Sequence, residues 1–172
     1  MNADWGKFCA LVLLACAIGW LPARAHAAQC SVGSAGLAFG NYDPLSGVAP
    51  ASNGSISVNC TYTGLDWLFG FNITISLSTG SANSYNPRKM PALIGGDRLN
   101  YNLYQDPPHT IVFGDGSGGS SSVTLCFPGL LNNCGGNPSS NPATVPIYGL
   151  LPANQDVATG GYSDTILTTV TY

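Results

Sequence analysis

Ser55-Ile56-Ser57-Val58-Asn59-Cys60-Thr61-Tyr62 and its successor Phe71-Asn72-Ile73-Thr74-Ile75-Ser76-Leu77-Ser78 decide the fold class. In both stretches apolar and polar residues alternate one by one, the period of an extended strand that buries one face. A helix would scatter Ile56, Val58 and Cys60, or Phe71, Ile73, Ile75 and Leu77, around its circumference. Working outward, further strand-like runs occupy residues 36–40, 99–104, 110–113, 122–125, 144–148 and 165–172, with Gly, Pro and Asn between them. No window after residue 27 makes a convincing amphipathic helix, and Pro and Gly interrupt nearly every candidate stretch. Many short strands with turn residues between them predict an all-β sandwich.

At the other end of the chain, Lys7 precedes a continuous apolar run from Phe8 to Leu21, followed by Pro22 and the small-residue sequence Ala25-His26-Ala27. A basic start, an apolar middle and an A-x-A site read as a secretory signal peptide over residues 1–27, with the working domain at residues 28–172. The apolar run falls short of the roughly 20 residues a transmembrane helix needs, and no second such run follows. Leu14-Ala15 before Cys16 also admits a lipid-anchor reading, but that would place the cut inside the apolar run.

With residues 1–27 removed, Cys30, Cys60, Cys126 and Cys134 remain, an even set in an exported chain and so a disulfide framework. Four cysteines allow three pairings. Sequence proximity favours Cys126 with Cys134, hence Cys30 with Cys60, although spacing alone does not fix the connectivity. No C-x-x-C pair and no clustered His supports the competing metal reading. Arg88, Lys89 and Arg98 stand against seven aspartates after residue 27, three minus seven or a net of minus four. So few cations give no surface for neutralising phosphates, which argues against a nucleic-acid partner.

Catalytic and cofactor readings find little to rest on. His109 is the only histidine after residue 27, it lies in a turn sequence expected to face solvent, and no nucleophile-elbow motif accompanies it. The chain has no Glu, and its Asp residues mostly occupy turn contexts such as Tyr42-Asp43-Pro44. Asp106 and Asp115 do not form a calcium-loop spacing. The glycine-rich residues 114–120 lack the Lys-Ser/Thr and following helix of a phosphate loop. The expectation is no catalytic residue, no cofactor and no metal.

Two apolar loops are the candidate interaction sites. Trp67, Leu68 and Phe69 cannot all point inward from one strand. Phe127, Leu130 and Leu131 fall between Cys126 and Cys134, where a staple would stiffen an apolar tip. Exposed apolar patches mark contact sites, and ordinary loop packing is the competing reading.

Three blocks in order carry a resemblance. The first is Cys30, then Gly36-Leu37-Ala38-Phe39-Gly40-Asn41-Tyr42-Asp43-Pro44 and Gly54-Ser55-Ile56-Ser57-Val58-Asn59-Cys60. The second is Arg88-Lys89-Met90, Leu99-Asn100-Tyr101-Asn102-Leu103-Tyr104-Gln105-Asp106 and Phe113-Gly114-Asp115-Gly116. The third is Val145-Pro146-Ile147-Tyr148-Gly149-Leu150-Leu151-Pro152-Ala153-Asn154-Gln155 with Gly161-Tyr162-Ser163-Asp164. Together they resemble the spore coat protein U domain of archaic chaperone-usher pilins over nearly all of residues 28–172; the stretch from Cys126 to Pro142 departs from the pattern.

The resemblance implies an incomplete immunoglobulin-like β-sandwich whose missing strand is lent by a periplasmic chaperone and later by a neighbouring subunit. It implies as partners that chaperone, an outer-membrane usher and other pilus subunits, with passage through the periplasm to a surface pilus or the medium. Tip adhesins of the class use apolar loops. A cut after Ala27 would leave only Ala28 and Gln29 before Cys30, so such a chain would accept a strand without donating one. A terminal adhesive subunit and a secreted self-assembling coat protein are the alternatives to a shaft subunit.

Overall fold

The structure, a computed structural model, describes residues 28–172; the signal-peptide reading of residues 1–27 lies outside them. The elements in chain order are β1 (Gln29–Ala35), β2 (Ala51–Thr61), a single helical turn α1 (Asp66–Phe69), β3 (Phe71–Leu77), β4 (Arg88–Pro91), β5 (Arg98–Tyr104), β6 (Val123–Phe127), β7 (Ala143–Leu150) and β8 (Thr168–Thr171). They form two sheets, a five-stranded one in the order β1-β2-β7-β5-β4 and a three-stranded one in the order β6-β3-β8. Every pair of named strands is antiparallel.

The alternation seen in the sequence becomes the core. Ile56, Val58 and Cys60 of β2, Ile73, Ile75 and Leu77 of β3, and Val145 and Ile147 of β7 are buried between the sheets. Phe127 ends β6 against Phe71, ring centroids 4.9 Å apart. The disulfides are Cys30–Cys60, across the β1–β2 ladder at directly paired positions, and Cys126–Cys134.

Arg88 is the buried exception, 0% exposed among apolar side chains. Its guanidinium donates to the carbonyls of Ser78 and Phe113 and to Asn102 Oδ1, at 2.6 to 3.1 Å, and lies 5.1 Å from the Tyr85 ring centroid. Burial pulls its pKa down, while the planar fork of donors keeps its hydrogen bonds made. The side chain thereby braces the end of β3 in one sheet to β5 in the other.

Two strand expectations need correcting. Residues 36–40 form no ladder; the first strand is β1, just before them, a run with little apolar alternation that is held by pairing with β2 rather than by burial. Residues 110–113 make only isolated bridges. After Thr63-Gly64 the chain enters α1, where Asp66 accepts from the Thr63 amide at 2.9 Å and Gly70 at φ 65° ends the turn, its amide donating to Asp66 O.

The two long sides of the sandwich differ. On one side the sheets are tied together: Tyr104 bridges to Val112, and Phe113 to Ser121 on the way into β6. On the other side β1 and β8 are edge strands with no ladder partner beyond β2 and β3 among the described residues. One end of the sandwich gathers residues 43–50, 92–97 and 151–162, which flank the starts of β2 and β5. The opposite end carries α1 and the stapled loop after β6.

Candidate functional site

The open side holds a cleft of about 850 Å³. One wall is the ladder-free segment 36–42 and the other is segment 157–168; Ile56, Leu77, Leu99, Leu103 and Ile147 contribute to its apolar lining. In the first wall Leu37 and Phe39 are half-buried between exposed neighbours. They sit on two inward-facing glycines: a Cβ on Gly54 would meet Leu37 Cδ1 at 2.8 Å, and one on Gly149 would meet Phe39 Cζ at 2.7 Å. Any side chain there would push the wall off the sheet.

In the second wall Tyr162, Asp164, Ile166 and Thr168 are half-buried and alternate with exposed residues, the pattern continuing to Val170 in β8. Both walls thus have the side-chain period of strands, yet neither pairs across the cleft. Val32 shows the consequence. It lies opposite Val58 on the same face of the β1–β2 ladder, but Val58 is 0% exposed and Val32 46%.

Asp164 fixes the second wall. Tyr101 Oη donates to its Oδ2 at 2.6 Å, and the amides of Ser81 and Thr165 donate to its Oδ1 at 3.0 and 2.9 Å. Burial first, then the hydrogen bond and charge of Asp164, push the Tyr101 phenol far above the ordinary tyrosine value. The unfolded chain releases that proton near the ordinary value and the folded chain retains it. Stability is therefore complete below the ordinary tyrosine value and falls as pH rises above it. Urea midpoints measured from about pH 8 to about pH 11 should fall more steeply for the native chain than for Tyr101→Phe. Tyr85 and Tyr104, also raised by burial, leave the variant a residual slope.

At the far end, the two candidate loops meet. Leu130 N donates to Trp67 O at 2.9 Å and Leu131 N to Leu68 O at 2.8 Å, while the backbone of Gly129 packs directly on Phe69 and Gly70. Trp67, Phe69, Leu130 and Leu131 are 57%, 53%, 74% and 69% exposed and Leu68 is half-buried. Phe127 is not part of this face: it is 0% exposed, because β6 extends through it and turns its ring into the core.

His109 also differs from the expected open turn. It is half-buried in a left-handed conformation (φ 58°), its ring edge-on to Tyr104 and its Nε2 buried without a hydrogen-bond partner. Asp106 and Asp115 spend their carboxylates on their own turns, Asp106 accepting from Thr110 and Ile111 and Asp115 from Ser117.

Sequence reasoning missed Tyr101–Asp164, which joins residues 63 positions apart. It also missed the exposed Leu45, Val48, Leu93 and Ile94 of segments 43–50 and 92–97. The signal available for those four was apolar residues inside turn-rich sequence.

Comparison with known proteins agrees with the resemblance carried by the three sequence blocks. Over 193 aligned residues, spanning the whole of both chains, the protein is 30% identical to Protein U of Myxococcus xanthus. Among solved structures it is similar to a CsuC–CsuE chaperone–tip adhesion subunit pre-assembly complex from archaic chaperone-usher Csu pili of Acinetobacter baumannii. That likeness has a TM-score of 0.49 and 14% identity, and covers 85% of this chain and 40% of the other. A chaperone–tip adhesin complex of CFA/I fimbriae biogenesis gives a TM-score of 0.45 and 14% identity, over 88% of this chain and 41% of that one. The chain thus spans about two-fifths of the length of these two structures. The family model of the Spore Coat Protein U domain matches residues 21–169, and the chain belongs to that family.

Proposed function

We propose that this protein is a structural subunit of an extracellular pilus, assembled by a chaperone-usher pathway, and that its working site is the open cleft. One observation carries the reading: two segments with strand periodicity line an apolar cleft, with no strand between them among the described residues. An unpaired edge above an apolar groove favours strand addition, in which main-chain hydrogen bonds give affinity and alternating pockets give register. A periplasmic chaperone fills the cleft first and a neighbouring subunit later, completing an immunoglobulin-like sandwich. Export directed by residues 1–27, followed by oxidation of the two cysteine pairs, places this in the periplasm and then at the cell surface. The chemistry is strand pairing without turnover.

Co-expression with a periplasmic chaperone of this class, followed by isolation of the complex, tests the reading. The expected product is a one-to-one complex that protects the chain from proteolysis. A chain that is monomeric, stable and indifferent to the chaperone contradicts it.

The stapled end supports a second reading, a terminal adhesive subunit. Trp67, Phe69, Leu130 and Leu131 form one face because backbone hydrogen bonds and the Cys126–Cys134 staple lock their loops together. Replacing these four residues with Ser should abolish adhesion of the assembled protein to an apolar surface and leave assembly intact. Unchanged adhesion removes this reading.

A further inference from the structure

Segments 42–48 and 92–97 are both hydrogen-bonded to segment 152–162, part of which lines the cleft. Tyr42 Oη donates to Pro152 O at 3.1 Å and accepts from the Gln155 amide at 2.7 Å. The Gln155 side chain clasps both backbone groups of Asn100, and the Ala158 amide donates to Asp97 Oδ2. Leu93 N donates to Gly161 O, which ties the β4–β5 hairpin tip to the second wall of the cleft.

On this braced face stand four apolar side chains in water. Leu45 and Ile94 are 93% and 94% exposed, and Val48 and Leu93 are 62% and 71% exposed. Their loops are held in place: Asp43 Oδ1 accepts from the Leu45 amide, Ser46 Oγ from the Val48 amide, and Asp97 O from the Ala92 amide. A loop pinned so that it presents a whole Leu or Ile to solvent forgoes the burial that these side chains favour. Around the tips lie the exposed carboxylates of Asp43, Asp97 and Asp156, against the single guanidinium of Arg98. Tyr42, Pro44 and residues 158–162 line the cleft itself, so the face is continuous with its mouth.

We propose that this face docks the body of the chaperone whose strand fills the cleft first, through a chaperone surface that is apolar at its centre and fringed with Lys or Arg. This rests on the strand-acceptor reading. A second copy of this chain does not match that fringe, because its own apolar end carries Asp66 and, among the described residues, no cation beside it. The strand supplies register inside the cleft, and the fringed face selects which strand-bearing protein is retained. Electrostatic complementarity of this kind acts on encounter and selectivity.

The test compares two probes on the full exported chain: a periplasmic chaperone of this class, and a ten-residue synthetic peptide of alternating Val and Thr that offers a strand without a body. Leu45→Ser with Ile94→Ser should release the chaperone at least about tenfold faster and leave peptide binding and the thermal midpoint unchanged. Asp43→Asn, Asp97→Asn and Asp156→Asn together should remove the salt dependence of chaperone association, again without affecting the peptide. Chaperone release at the native rate from both variants overturns the docking face while peptide binding preserves the strand-acceptor reading. Dimerisation of the chain that Leu45→Ser with Ile94→Ser abolishes would show a second copy to be the occupant and overturn the cation-fringed partner. Failure of the native chain to bind either probe overturns the strand-acceptor reading, and this face with it.

Discussion

Replacing Cys30 and Cys60 together with Ala is expected to lower the unfolding free energy by about 3 to 4 kcal/mol, the chain-entropy value for a loop of this size. The bond closes 30 residues of chain, and it does so at the edge of a sheet. β1 is exposed along nearly its whole length, so little apolar burial holds it in place. Without the staple it should fray from β2, and the cleft wall that follows it, with Leu37 and Phe39, should loosen as well. For a domain of this size the thermal midpoint should drop by roughly 10 °C. The Cys126–Cys134 pair spans only 8 residues, and its removal should cost less, about 2 kcal/mol. Urea denaturation of the two double variants under identical oxidising conditions gives the comparison; a larger loss from the shorter loop would show that β1 is held by something else.

The second large effect is expected at Arg88. Arg88→Met removes the brace and takes from the carbonyls of Ser78 and Phe113 the donors it supplies, while Asn102 Oδ1 keeps only the Leu103 amide. An unsatisfied buried acceptor costs about 1 to 3 kcal/mol, so a total loss of about 3 to 5 kcal/mol is expected. Set against the roughly 5 to 15 kcal/mol of a typical domain, this is enough to impair folding during export. Arg88→Lys keeps the charge but lacks the planar fork, and it should recover less than half of the loss. Full recovery by Lys, measured by the urea midpoint, would mean that charge rather than hydrogen-bond geometry holds this position.

The sandwich was legible where one strand face is buried against the other sheet. β2 and β3 announce themselves because Ile56, Val58 and Cys60, and Ile73, Ile75 and Leu77, recur at period two with polar neighbours, and β7 because Val145 and Ile147 recur at the same period. β1 was not legible, because a strand held by main-chain pairing and a disulfide needs no apolar face. Residues 36–40 are the instructive case. Their alternation does report that Leu37 and Phe39 turn inward, but a strand also needs a partner, and among the described residues this segment has no ladder partner. The mismatch between side-chain period and ladder therefore marks the cleft.

The stapled loop was legible only in part. The spacing of Cys126 and Cys134 located it, and Leu130 and Leu131 are exposed, but position between two cysteines said nothing about Phe127, which β6 carries inward against Phe71. The docking tips Leu45 and Ile94 were illegible for a related reason. Whether a turn residue meets solvent or core depends on which segments the fold brings beside it, here through Tyr42, Gln155 and Asp97, and no local pattern encodes that.

The strand-acceptor account is tested most directly by hydrogen exchange on the full exported chain with and without the ten-residue Val-Thr peptide. The account predicts fast exchange along the unpaired side of Thr168–Thr171 and through residues 36–42 in the free chain. Adding the peptide should protect both segments together and raise the thermal midpoint. Amides in both segments that are already protected in the free chain, and unchanged by the peptide, would contradict it.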